Sequence, residues 1–178
     1  GGTEMGQGLN TKMAQVCADG LGISVDHVRI TATDSQKVPN ASATSASSGA
    51  DINGAAIMNA TAQMRERLKP VAARMLGCAE GDVTFANNEV HGGGKAVKWA
   101  DVTKQAWLDR VGLSVTGFYM TPEIKYDFTT LNGRAFYYYC YGAAVSEVEI
   151  DTRTGEWWLK AVDIVHDVGR SINPALDK

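Results

Sequence analysis

YGAAVSEVEIDTRTGEWWLKAVDIVHDV, residues 141–168, reads with a period of two on both sides of a central DTRTGE. That alternation is the mark of extended chain, and Gly155 within the hexapeptide suits a hairpin turn. Residues 136–150 and 156–168 are therefore expected to be long strands, with 113–119 as another. The aromatic run Phe136, Tyr137, Tyr138, Tyr139 and Tyr141 is expected to pack both faces of a central strand.

Upstream of Gly112 the period is helical. Leu9, Met13, Val16, Cys17 and Leu21 recur on one face, which predicts a helix over about residues 6–19, and Gly20 with Gly22 offers a left-handed stop. A longer helix follows, with Ile52, Ala56, Ala60, Met64, Leu68, Val71 and Met75 as its apolar face and Arg65, Glu66 and Lys69 solvated. Pro70 is expected to bend or break it near its end. Residues 27–33 (HVRITAT) alternate as a strand and lead into a Ser/Thr/Ala-rich loop over 34–48. Residues 82–85 and 89–91, joined through Asn87-Asn88, predict a small hairpin, because Asn tolerates the positive φ of a tight turn. A short helix over 99–110 completes the set. The layout is α+β, helices packed on a mixed or antiparallel sheet, with a helical lobe over about 1–111 and a β-rich segment over about 112–178.

With 44% hydrophobic and 21% charged residues and a net charge of -3, the chain has the composition of a folded globular protein. It lacks the basic cluster a nucleic-acid partner requires. The longest apolar stretch, 136–145, is well short of the roughly 20 residues of a membrane helix. The 3 cysteines are widely spaced and form no CxxC, so no disulfide framework or zinc site is readable; reduced, mostly buried thiols and a cytoplasmic location are expected. The chain starts without Met and inside its most distinctive motif, and on this ground it is expected to be a piece of a longer protein.

Two stretches have the chemistry to hold an anion. GGTEMGQG, residues 1–8, sets glycines at a helix start, where unpaired N–H groups and the helix dipole concentrate positive charge and the missing side chains expose the backbone. VPNASATSASSGAD, residues 38–51, brings the hydroxyls of Ser42, Thr44, Ser45, Ser47 and Ser48 to the start of the next helix. Neither GK[ST] nor a GxGxxG after a strand is present, which argues against ATP and NAD. Gln7, a neutral amide, suits an oxo group or a heterocycle edge better than a triphosphate.

GGTEMGQGLNTKMAQV, DSQKVPNASATSASSGADINGAA, LSVTGFYMTP, YGAAVSEVEIDTRTGE and DIVHDVGRSINPALD together resemble, in this order, the second half of the molybdenum-cofactor-binding part of xanthine dehydrogenases. Only residues 71–109 are less distinctive. The resemblance implies a molybdenum hydroxylase that carries a molybdopterin and hydroxylates a purine such as hypoxanthine or xanthine. It places Met5, Gly6, Gln7, Ala46, Ser47 and Ser48 against the cofactor and the pair Ser45 and Ala46 beside the substrate ring, with no protein ligand to the metal. Relatives commonly carry alanine at the first of that pair. Ser45 departs from this and is expected to bond local backbone. The segment TGFYMTP, 116–122, is closer to xanthine dehydrogenases than to the carbon monoxide or nicotinate branches of the superfamily.

In the resembled family the general base is a glutamate in a Gly-Glu-x-Pro context downstream of NPALD. None of Glu4, Glu66, Glu80, Glu89, Glu123, Glu147, Glu149 and Glu156 stands in that setting. The catalytic glutamate is thus expected outside the chain, and Glu4 is expected to serve the helix dipole rather than the reaction. His27, His91 and His166 share no spacing and are expected to be surface or hydrogen-bonded core residues. FAD, [2Fe-2S] clusters and the rest of the molybdenum subunit are expected on other domains or chains. The expected role is a partial cofactor cradle, inactive alone and holding little or no molybdenum alone. The alternatives are a non-catalytic binding or assembly module of the same fold and part of an aldehyde or N-heterocycle hydroxylase.

Overall fold

The computed structural model describes residues 1–31, 34, 36–37, 44–45, 47–171 and 174–175. The chain divides into two compact units, Gly1–Met120 and Thr121–Lys178. The first holds the helices and a three-stranded antiparallel sheet and the second, among its described residues, two antiparallel strand pairs, so the chain is α+β as expected.

The first unit is built on two helices, α1 (Leu9–Leu21) and α2 (Gly49–Leu76). Helix α1 begins at Leu9 rather than near Gly6 because Gly6 (φ 98°) and Gly8 (φ 78°) are left-handed, a conformation outside the right-handed helix. It stops at Leu21 because Gly22 (φ 71°) turns left-handed and its N–H donates to the last carbonyls. The two helices run side by side in the same direction. A Cβ placed on Gly54 would stand 3.7 Å from Met13 Cε, and one on Gly20 would collide with the Thr61 hydroxyl at 2.4 Å. Their N-termini therefore lie at the same end.

The seam of α2 differs from the expected one. Gly54, Thr61 and Leu68 are buried, while Ile52 and Met75, assigned to the apolar face, are exposed. Small residues let α1 approach closely here, so the contact is made by Gly and Thr rather than by bulk. Arg65, expected in solvent, is half-buried: it donates to the Gly20 carbonyl at 3.3 Å and lies over the Phe85 ring. Pro70 does not break α2, which continues to Leu76. Both Pro70 and Glu66, whose carbonyl loses its helical donor to the proline, are exposed, so water can serve the orphaned oxygen.

Residues 25–27 form a 3-10 turn, and no strand forms over 28–31; residues 32 and 33 lie outside the described set. The three-stranded antiparallel sheet is β1 (Thr84–Ala86), β2 (Glu89–Gly92) and β3 (Lys95–Lys98), in that order. Asn87 (φ 55°) and Asn88 (φ 65°) make the first turn, as their residue types predict. The third strand, entered through Gly93-Gly94, was not anticipated. With α3 (Trp99–Leu108) and the C-terminal half of α2, this sheet encloses the core of Leu68, Val71, Ala72, Leu76, Val83, Phe85, Val90, Val102 and Ala106.

Residues 113–119 are not a strand. The segment lies along α2, where the Arg67 guanidinium donates to the carbonyls of Gly112 (3.1 Å) and Ser114 (2.9 Å), and the Phe118 N–H donates to Asn59 Oδ1 (3.4 Å). Its backbone is bound by side chains of a helix instead of by a neighbouring strand.

The second unit contains a short pair, β4 (Lys125–Asp127) with β5 (Asn132–Arg134), and a long hairpin, β6 (Gly142–Ile150) with β7 (Trp157–His166). The hairpin turn is the expected one: Gly155 (φ 79°) donates to the Asp151 carbonyl at 2.8 Å. The aromatic run is not part of β6. Residues 136–141 precede the strand, and all five rings are exposed. Arg134 holds their backbone by donating to the Phe136 carbonyl and lying over Tyr137.

Candidate functional site

The glycine loop and the serine-rich loop meet. Parallel packing of α1 on α2 sets both helix starts at one end, and the Thr3 N–H donates to Thr44 Oγ1 at 2.8 Å. Gly2 and Gly49 complete the approach: a Cβ on Gly2 would stand 2.4 Å from Leu9 Cδ2 and 3.1 Å from Asn53 Nδ2, and one on Gly49 would touch Thr44 and Leu9. A side chain at Gly2 would have to displace the ends of the Leu9 and Asn53 side chains. Two positive helix ends pointing the same way add their partial charges.

The N–H groups expected to be free at the α1 start are already donated. Glu4 Oε1 accepts from Gly6 (2.8 Å) and Gly8 (3.1 Å), and Glu4 Oε2 accepts from Asn10 (2.8 Å). These bonds hold the Glu4 carboxyl below the usual glutamate range, the Asn10 N–H contributing most. Gln7 is likewise turned onto its own loop: its Oε1 accepts from the Met5 N–H at 2.6 Å and its Nε2 donates to the Thr3 carbonyl at 2.8 Å. One Nε2 hydrogen remains for a ligand.

No side chain caps α2. The Ser48 hydroxyl points back to the Ser45 carbonyl at 3.2 Å, and Ser47 has φ 56°, a left-handed conformation uncommon for a residue with a side chain. Ser45 and Ser47 are exposed and Ser48 half-buried. Ala46 and Ser42 lie outside the described residues. The Thr3 backbone N–H and the Thr44 hydroxyl tie the two loops together; of the two residues only Thr44 was marked by the sequence pattern.

This surface suits a flat ligand whose negative group lies toward the start of α2, since the Glu4 carboxylate already occupies the start of α1. Nothing lies within 4 Å of the positions a Cβ would take on Gly6 or Gly8, and Met5 is exposed beside them. A planar group can therefore rest on bare backbone there. Among the described residues no three His, Cys, Asp or Glu side chains gather as metal ligands.

Residues 1–178 match the family model described as the molybdopterin cofactor-binding domain, and the chain belongs to that family. Among named relatives it is similar to a xanthine dehydrogenase of Oryza sativa subsp. japonica, 43% identical over 99% of this chain and 12% of that protein. It is also similar to the xanthine dehydrogenase/oxidase of Gallus gallus, 44% identical over the same shares. The chain thus spans about 12% of the length of the curated relatives it matches. The fold is shared with quinoline 2-oxidoreductase from Pseudomonas putida 86 (27% identity, TM-score 0.75, 97% of this chain and 22% of that one). A Cu,Mo-CO dehydrogenase gives 25% identity and a TM-score of 0.73 over 98% of this chain and 21% of that one.

Two thiols, Cys17 and Cys78, are half-buried, and burial pushes the Cys17 thiol up. Cys140 is exposed, against the expectation of burial, because residues 136–141 are not a covered strand.

Proposed function

We propose that this chain is one part of the molybdopterin cradle of a purine-hydroxylating molybdenum enzyme, with Met5, Gly6 and Gln7 on one side of the cofactor and Ser45, Ala46, Ser47 and Ser48 on the other. The observation that carries this reading is the Thr3–Thr44 bond, which joins the two motif loops at the paired starts of α1 and α2. When bound, the cofactor supplies the redox centre. The chain's own residues position it: glycine backbone gives it a flat seat, the Gln7 amide offers one N–H, and the Ser47 and Ser48 region presents hydroxyls and the positive start of α2. Ser45 and Ala46 border the substrate ring.

Purine is preferred over quinoline or carbon monoxide as the substrate class because identity to the xanthine dehydrogenases, 43–44%, exceeds the 25–27% to the other two enzymes. The general base, FAD and iron–sulfur clusters belong to other segments or chains, and the setting is cytoplasmic. The purified chain alone is expected to form no urate from xanthine and to hold little molybdenum.

A chimera tests this directly. Residues 1–178 replace the matching segment of the Gallus gallus xanthine dehydrogenase/oxidase, and the soluble product is assayed for molybdenum and for xanthine oxidation. Retention of both is expected. A folded chimera without molybdenum would sink the cradle reading, and one that holds molybdenum but oxidises aldehydes in place of xanthine would sink the substrate class.

A further inference from the structure

We infer that Glu4 is the positioning residue of the glycine loop, its single carboxylate fixing the left-handed turns at Gly6 and Gly8 and through them the orientation of Met5 and Gln7. This rests on the cradle reading only for what the loop is positioned to hold; the loop geometry stands by itself.

The residues leave the carboxylate few substitutes. Gly6 at φ 98° and Gly8 at φ 78° sit in conformations that cost glycine little to reach and equally little to leave. Two such residues separated by one Gln would sample many shapes unless something closed them. Glu4 closes them, accepting N–H bonds from Gly6, Gly8 and Asn10, two, four and six residues further along the chain. Because Asn10 lies in the first turn of α1, the same carboxylate also anchors the loop to a rigid element. Gln7 then sits between Gly6 and Gly8, and its amide completes a smaller ring with the Met5 N–H and the Thr3 carbonyl. That Thr3 unit is the one whose N–H reaches Thr44, so the ordering extends to the second loop.

A consequence concerns charge. The α1 start carries its own anion, covalently attached, which satisfies the helix end and leaves the α2 start as the more favourable place for a ligand's negative group. Among the described residues no ion pair reaches Glu4; its partners are the backbone N–H groups of Met5, Gly6, Gly8 and Asn10. Since the folded carboxyl is lowered below its ordinary 4.5, loop order is complete above that value and is lost as pH falls through the lower folded value.

The test is amide NMR on the 178-residue chain with the variants Glu4→Gln and Glu4→Ala. The Gly6, Gly8 and Asn10 amide signals and the Gln7 side-chain amide are expected to titrate together, with one midpoint below 4.5. Glu4→Gln should abolish that common step. Glu4→Ala should quicken exchange at Gly8 and Asn10 by about tenfold and shift the Gln7 side-chain signals, with helix content unchanged. Independent titration of the three amides, or unaltered Gln7 signals in Glu4→Ala, would overturn the inference. Pterin fluorescence on adding molybdopterin to the Gallus gallus chimera tests the cradle separately: failure to bind there defeats the functional reading and leaves the loop result intact.

Discussion

The backbone N–H of Thr3 donates to the hydroxyl oxygen of Thr44, 41 residues away, at 2.8 Å. Thr44→Val keeps the shape and removes the acceptor. Amide exchange at Thr3 should quicken severalfold, while unfolding free energy falls by less than about 1 kcal/mol, because the bond lies near solvent. Thr44→Ser should restore slow exchange. Hydrogen exchange and urea denaturation of the three proteins check both parts.

Gly117 has no room for a side chain: a Cβ would stand 1.9 Å from the Ala56 carbonyl oxygen and 2.9 Å from Ala60 Cβ. In Gly117→Ala the 112–120 segment must lift from α2 and lose its bonds to Arg67 and Asn59 together. A loss of about 1–3 kcal/mol is expected, with new protease cleavage within the segment. Unchanged cleavage would show that the segment can shift without detaching.

Asn88 joins three elements: its N–H donates to the Gly22 carbonyl, its carbonyl accepts from Trp99, and its side chain accepts from the Ser24 N–H at 2.7 Å. Its φ of 65° adds a conformational demand. Asn88→Ala should cost about 1–2 kcal/mol and Asn88→Gly less, since glycine keeps the left-handed turn and forfeits only the side-chain bond. Urea midpoints rank the three.

Leu68 is fully buried at the meeting of α2 with the core, whereas Ile52 is exposed. Leu68→Ala should cost about 2–5 kcal/mol. Ile52→Ala should stay within about 0.5 kcal/mol. Equal losses would contradict the seam assigned to α2.

Alkylation of the intact chain should reach Cys140 first and Cys17 last. Cys140 is exposed, while burial both shields the Cys17 thiol and raises its pKa, which lowers its thiolate fraction at neutral pH. Mass mapping after a timed iodoacetamide pulse reads the order.

The sequence revealed the elements whose signals are local. Helical spacing at Leu9 and Met13, the Asn87-Asn88 pair, and Gly155 in its turn each carry their conformation with them. What depended on a partner was not legible. Residues 113–119 alternate like a strand, but Gly117 and Arg67 fit them to a helix. Gly54 and Thr61 form a seam too small to register as apolar. At the candidate site the two loops were visible as motifs, and Glu4 as an acid beside them. Its service to the helix dipole was expected, but that its carboxylate would gather the N–H groups of Gly6, Gly8 and Asn10 could not be read, because chain reversal at Gly6 and Gly8 brings them to it. The core is drawn from residues 68–106, where the chain carries its least distinctive motifs. Burial rewards only shape and apolarity there, whereas the motif loops must leave backbone open.

The β6–β7 hairpin pairs nine residues of each strand across a register shift at Glu147/Val148. No third strand joins it among the described residues, and both of its faces are exposed, Trp157, Leu159, Ile164 and Val165 among them. A two-stranded ribbon is marginal in water by itself. Its outer edges also present unpaired N–H and carbonyl groups in a row. Concentrated or warmed alone, the chain is expected to associate first through this ribbon rather than through the helical unit.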